Sequence, residues 1–81
     1  KFVGIGIEVS MEDGYVKVVS PIEDSPAAKA GIRPGDIILS VNGQKVKDIE
    51  QLRAQISKAG KRTAILVERG DSRLFVPVEL G

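Results

Sequence analysis

Ser25-Pro26-Ala27-Ala28-Lys29-Ala30-Gly31-Ile32-Arg33-Pro34-Gly35-Asp36-Ile37-Ile38 is the stretch on which the fold turns. It opens as a short helix with its punctuation written in. Ser25 suits the N-cap, Pro26 the first helical position, and Gly31 the left-handed residue past the end. Pro34-Gly35 fits the centre of a type II turn, where the glycine supplies positive φ. Asp36 to Val41 then reads as a strand with Ile37, Ile38 and Leu39 in succession, as expected when both faces are covered. Asn42-Gly43 is the strongest short hairpin signal in the chain and leads to a short strand around Lys45 and Val46.

Working outward toward the N-terminus, Ile5, Ile7, Val9 and Met11 alternate with Gly6, Glu8 and Ser10, the period of a half-buried strand. Glu12-Asp13-Gly14 offers a tight turn, Tyr15 to Ser20 the returning strand, and Pro21 its end. Toward the C-terminus, Asp48 caps a second helix, with Gln51 completing a capping box. Ile49, Leu52, Ile56 and Ala59 form one stripe on that helix, which ends at Gly60. Thr63–Glu68 and Arg73–Leu80 are two further strands joined by a turn at Gly70-Asp71. In the last strand Leu74, Val76, Val78 and Leu80 face one way, and Pro77 places it at a sheet edge or with its missing donor turned outward. The order β-β-α-β-β-α-β-β predicts an α+β, mostly β domain spanning residues 1–81. Its architecture is a small, partly open antiparallel barrel or sandwich of about six strands capped by two helices.

Composition removes several classes of function. The 81 residues carry twelve Lys and Arg against eleven Asp and Glu, a net charge of +1, too weak a field to argue for nucleic acid or an anionic membrane. No Trp and only three other aromatics leave no base-stacking platform. Without Cys there is no disulfide, thiolate nucleophile or thiolate metal site, and without His the commonest base and metal ligand are missing. No apolar run approaches the ~18 residues of a membrane span. The chain begins Lys1-Phe2-Val3 and reads as a domain cut from something larger, so targeting information is lost.

The most informative motif is Gly4-Ile5-Gly6-Ile7. Two glycines one residue apart let a backbone approach a ligand closely, and consecutive N–H groups there can form an anion-binding concavity. A glycine-bent strand start without a ligand is the plain alternative. A dinucleotide fingerprint would need glycine at position 9, which is Val9. If the Ile5–Met11 strand is a sheet edge, its free groups are a template for another strand, and the Asp48–Ala59 helix beside it makes an apolar groove. Leu52 is expected in the core, and Ile49 and Ile56 partly in the groove. Arg69-Gly70-Asp71 spells an adhesion tripeptide, but a hairpin needs Gly70-Asp71. Ser57-Lys58 cannot act as a catalytic pair, because adjacent helix residues point apart.

With Val41-Asn42-Gly43 added to the stretch quoted first and Gly4-Ile5-Gly6-Ile7 before it, the sequence resembles a PDZ domain of bacterial, circularly permuted type. Residues 1 to about 43 are most similar to those of tail-specific, C-terminal processing proteases. Residues 44–81, through Leu52-Arg53-Ala54-Gln55-Ile56 and Val67-Glu68-Arg69-Gly70-Asp71, look closer to HtrA-type serine proteases, a mixture that leaves open a consensus or chimeric sequence. The resemblance implies that Arg73–Leu80 fills the place of the missing first strand, with the termini near each other. It implies a carboxylate-binding loop at Gly4, Ile5, Gly6 and Ile7, in which the N–H groups of Ile5, Gly6 and Ile7 hold a peptide's terminal carboxylate. The groove would be lined by Val9, Ile49, Arg53 and Ile56. Ile5, Ile7, Val9 and Ile56 would form the pocket for an apolar last side chain, and Ile49 would favour an apolar residue two before the end. Arg53 would face either acidic neighbours of the ligand or solvent, and Lys1 would supplement the carboxylate charge or, the preferred reading, fray.

The implied function is non-catalytic: capture of apolar C-terminal tails or unfolded segments by strand addition, delivering substrates to, or gating, a parent protease domain. The alternative is a regulatory or scaffold interface for segments of its own parent or oligomer. No cofactor, metal or nucleic acid is implied, and the family resemblance suggests a bacterial periplasm or cell envelope. The binding reading requires the three amides to converge beside an unpaired sheet margin.

Overall fold

The computed structural model describes residues 1–80. The elements are β1 (Phe2–Val3), β2 (Ile7–Glu12), β3 (Tyr15–Pro21), α1 (Pro26–Ala30), β4 (Ile37–Val41), β5 (Gln44–Lys45), α2 (Ile49–Lys58), β6 (Arg62–Arg69) and β7 (Ser72–Glu79). All pairings are antiparallel, in the order β1-β2-β3-β4-β6-β7, with β5 on β4. The sheet does not close into a barrel: β1 and β7 stand at its two ends. The architecture is the expected small antiparallel sheet with two helices. Its seven strands are the six expected plus β1.

The punctuation acts as its chemistry dictates. Ser25 accepts a hydrogen bond from the Ala28 amide at 3.1 Å, Pro26 opens α1, and Gly31 ends it at φ 94°. At the Pro34-Gly35 turn the Asp36 amide donates to the Arg33 carbonyl, with Gly35 at φ 90°. Asp13-Gly14 and Asn42-Gly43 both carry positive φ on both residues, the mirror-image turn that matches strand twist. Asn42 adds a side-chain link, its Oδ1 accepting from the Ala64 amide at 2.8 Å. Asp48 caps α2 by accepting from the Gln51 amide, but the Gln51 side chain accepts from the Lys47 amide, one residue before the Asp48 amide that the expected capping box would use. The helix stops at Lys58, with Ala59 extended as its C-cap, before Gly60 is needed.

One apolar cluster holds these elements together. Ile5, Ile7 and Val9 meet Val16 and Val18 of β3, Ile38 and Val41 of β4, Leu52 of α2, and Ile65, Val67 and Val78 of the last two strands, all essentially inaccessible. Pro77 sits on β7, an edge strand paired only with β6, where a missing donor costs no ladder bond. Asp36 is buried at the entry to β4 and receives a fork from Arg69, Nε to Oδ1 at 2.9 Å and Nη2 to Oδ2 at 2.8 Å. The Arg33 amide donates to the same carboxylate, and Arg69 also reaches the Gly31 carbonyl. The tripeptide Arg69-Gly70-Asp71 is thus a hairpin end whose arginine clamps the helix-to-strand junction.

The largest departure from the sequence reading is at the beginning. The alternating run does not start a strand at Ile5; residues 4–6 form a turn, and β2 begins at Ile7. Gly6 at φ 85° makes that turn, and Lys1–Val3 fold back along β2.

Candidate functional site

The turn at Gly4–Gly6 is riveted to the start of α1. The Ile5 carbonyl accepts from the Ala27 amide at 3.0 Å. The Gly6 carbonyl accepts from both the Ile22 amide at 2.8 Å and the Ser25 hydroxyl at 3.0 Å. With the carbonyls turned toward α1, the Gly6 amide points the other way and donates to the Val3 carbonyl at 2.9 Å. An amide of the expected carboxylate loop therefore carries an acceptor oxygen from the chain itself.

The margin of β2 is likewise paired, which corrects the expectation of a free edge. Phe2 lies opposite Glu8 and Val3 opposite Ile7. The Lys1 nitrogen donates to the Val9 carbonyl at 3.0 Å, and the Val9 amide donates back to the Lys1 carbonyl at 2.8 Å. Lys1 is thus engaged in the ladder where fraying was expected. The physical reason is local: a glycine-containing turn reverses the chain, so the nearest strand partner for β2 is the segment just before it.

On its other side β1 meets α2. The Arg53 guanidinium donates to the Phe2 carbonyl at 3.0 Å, and a β-carbon on Gly4 would touch Ile56 at 3.9 Å. The strip between β2 and α2 is therefore occupied by Lys1–Val3. Val3 is only 5 % exposed and shares the apolar cluster with Ile5, Ile7, Val9, Leu52 and Ile56, whereas Phe2 turns outward at 60 % exposed. Ile49 is half-buried at the margin of the same cluster.

The structure brings Gly4, Ile5, Gly6, Ile7, Val9, Arg53 and Ile56 to one place. It gives several of them partners that sequence reading did not foresee. Arg53 binds a backbone carbonyl of its own chain and pairs with Glu50 at 3.6 Å. Sequence reading missed Val3 as an apolar anchor and Ile22, Ser25 and Ala27 as the holders of the loop. The available signal was an apolar pair, Phe2-Val3, separated from Ile7 by a glycine turn. Concave surfaces also lie elsewhere, one of them lined by Tyr15, Leu39, Val46 and Phe75. Among the described residues no helix is long and apolar enough to cross a membrane.

Comparison with known proteins gives these features a context. A family model described as PDZ domain matches residues 17–69. The chain is 44 % identical over 71 residues to the carboxy-terminal processing protease CtpB of Bacillus subtilis, covering 84 % of this chain and 15 % of that protein. A probable CtpA-like serine protease of Staphylococcus haemolyticus is 35 % identical over 83 residues, covering 99 % of this chain and 17 % of that protein. The chain thus spans less than a fifth of these relatives' lengths. Among solved structures, a variant of the HtrA-type protease AlgW with a decapeptide superposes with a TM-score of 0.86 at 25 % identity, covering 96 % of this chain and 28 % of that one. The HtrA3 PDZ domain bound to a phage-derived ligand superposes with a TM-score of 0.78 at 24 % identity, covering 96 % and 82 %.

Proposed function

The chain belongs to the PDZ domain family, and from that premise we propose that residues 1–81 form one peptide-binding unit that captures C-terminal tails by strand addition to β2. The tail runs antiparallel to β2 and beside α2, in the place that β1 holds. Its last side chain, apolar, enters the pocket of Ile5, Ile7, Val9 and Ile56, and its carboxylate takes the amides of Ile5, Gly6 and Ile7. Ile49 and Arg53 line the outer reach of the groove.

One observation carries this reading: β2 holds an antiparallel segment with a carbonyl 2.9 Å from the Gly6 amide and a buried valine beside it. That arrangement is what a tail ending in an apolar residue would reproduce, with a carboxylate in place of the carbonyl. That a structure sharing this fold, the AlgW variant, was solved with a decapeptide supports a peptide as the partner. Charge-assisted bonds to such a carboxylate are worth roughly 1.5–3 kcal/mol each, and one strand with one pocket yields affinities of about micromolar order.

In this reading the domain does no chemistry of its own and serves a protease domain in the same protein, delivering or gating substrate, in the bacterial cell envelope. Support comes from the CtpB and CtpA-like relatives, which are proteases of which this chain matches a small part. Isothermal titration with a decapeptide ending in Val, beside its C-terminally amidated twin, tests the mechanism. Tighter binding of the free acid is expected; equal affinity removes the carboxylate loop.

A second reading draws on the same occupied strip: the groove serves segments of its own protein as a regulatory interface. Absence of binding by any peptide, with self-association through the sheet margin, would favour it.

A further inference from the structure

We propose that Lys1–Val3 is a built-in occupant of the strand-addition groove, and that a peptide tail enters only by exchanging with it. This rests on the peptide-capture reading above and adds a competitor within the chain.

An incoming tail and β1 need the same backbone atoms of β2 and its loop. Val9 already uses its amide and carbonyl on Lys1, and the Gly6 amide is used by Val3. A main-chain N–H serves one good acceptor at a time, so a second strand cannot pair with this margin of β2 while β1 is seated. Arg53 holds β1 from the helix side through the Phe2 carbonyl. Val3 occupies the apolar seat that an incoming last side chain needs.

The occupant is also built to leave. Of its side chains only Val3 is buried, and Phe2 is mostly in solvent. Elements with so few buried contacts open locally far below the cost of global unfolding. What an incoming tail has in its favour is charge: a carboxylate accepts from backbone amides more strongly than the neutral Val3 carbonyl does. A ligand without a free carboxylate lacks that advantage. If β1 is seated nine times in ten, apparent affinity for a tail falls about tenfold.

The chain contains no cysteine, so a designed disulfide can lock the occupant in place. Phe2 and Glu8 are directly opposed. Because Lys1 and Val9 exchange both of their hydrogen bonds, the alternation of the ladder makes Phe2–Glu8 the close, non-hydrogen-bonded pair, within disulfide reach. The test measures binding of a decapeptide ending in Val to the Phe2→Cys/Glu8→Cys protein, oxidised and reduced, and to Val3→Asp, whose carboxylate cannot stay in the apolar seat. The oxidised form is expected to bind at least about tenfold more weakly than the reduced form, and Val3→Asp several-fold more tightly than the native chain. Equal binding by the oxidised and reduced forms would overturn the exchange while leaving peptide capture standing. So would Val3→Asp binding no tighter than native, or failure of residues 2 and 8 to cross-link under mild oxidation. If none of the proteins binds the peptide, the capture reading and the exchange fall together.

Discussion

Gly6 lies with its backbone directly against the side chain of Ser25: a β-carbon on Gly6 would stand 2.2 Å from the Ser25 β-carbon and 2.8 Å from its hydroxyl oxygen. That closeness lets the Ser25 hydroxyl reach the Gly6 carbonyl while also capping α1 through the Ala28 amide. One serine therefore ties the helix start to the loop that aims the Gly6 amide at the groove.

Gly6→Ala is accordingly expected to destabilise the domain by roughly 2–4 kcal/mol, combining overpacking against Ser25 with strain at positive φ. Urea unfolding measures the loss. Peptide affinity should fall as well, because relief of the clash moves the loop. An alanine variant as stable as the native chain would mean that the loop does not sit on Ser25.

The carboxyl of Asp36 gives a pH signature. Burial pushes its pKa up, but the Arg69 fork, the Arg33 amide and the charges of both arginines prevail and hold it below the ordinary 3.8. Such a group binds fewer protons folded than unfolded. It therefore adds stability above the unfolded value, and that contribution disappears as pH falls through the lowered folded value. Asp36→Asn is expected to cost about 2 kcal/mol at neutral pH and to flatten the decline of the urea midpoint below pH 4. An unchanged acid limb in the variant would refute the assignment.

Thr63 is inaccessible, and its hydroxyl oxygen has no hydrogen-bond partner. Thr63→Val replaces an unsatisfied polar group by a methyl of the same shape, and a gain of about 1 kcal/mol is expected. For a domain of this size that corresponds to a rise in Tm of about 4–8 °C by calorimetry. A lower Tm would show that the hydroxyl has a partner in solution.

Leu52 is fully buried on the inner face of α2. Truncation to Ala should cost about 3 kcal/mol through lost transfer energy and a residual cavity. That is a large share of the roughly 4–12 kcal/mol available to a chain of this length. Chemical denaturation of this variant beside Arg53→Ala separates core from groove: the arginine change should leave the midpoint nearly in place.

Most of the architecture was legible because local chemistry and tertiary demand coincide. Ser25, Pro26 and Gly31 bound a helix whatever surrounds it, Asp13-Gly14 and Asn42-Gly43 reverse the chain by their own backbone preferences, and Leu52 and Ile56 share a helical face. The start of the chain was misread for an equally local reason. Ile5, Ile7 and Val9 have the spacing of a strand, but all three are buried although only the last two lie on one. Alternation in sequence cannot distinguish a residue pointing inward from a pleat from one pointing inward from a turn.

Residue types and spacing alone settled the number and kind of most elements, the absence of thiol and imidazole chemistry, and the glycine pattern able to present amides. These are properties of side chains and their nearest neighbours, so they can be read along a line. Three matters were left to the folded chain: which strand lies beside β2, which acceptor the Gly6 amide meets, and which carbonyl Arg53 finds. The partners of β2 and of the Gly6 amide lie only a few residues away, but they prevail because distant groups, Ser25 on Gly6 and Arg53 on Phe2, hold the turn and β1 in place. Those holding bonds form only when packing brings the distant groups within about 3 Å of one another.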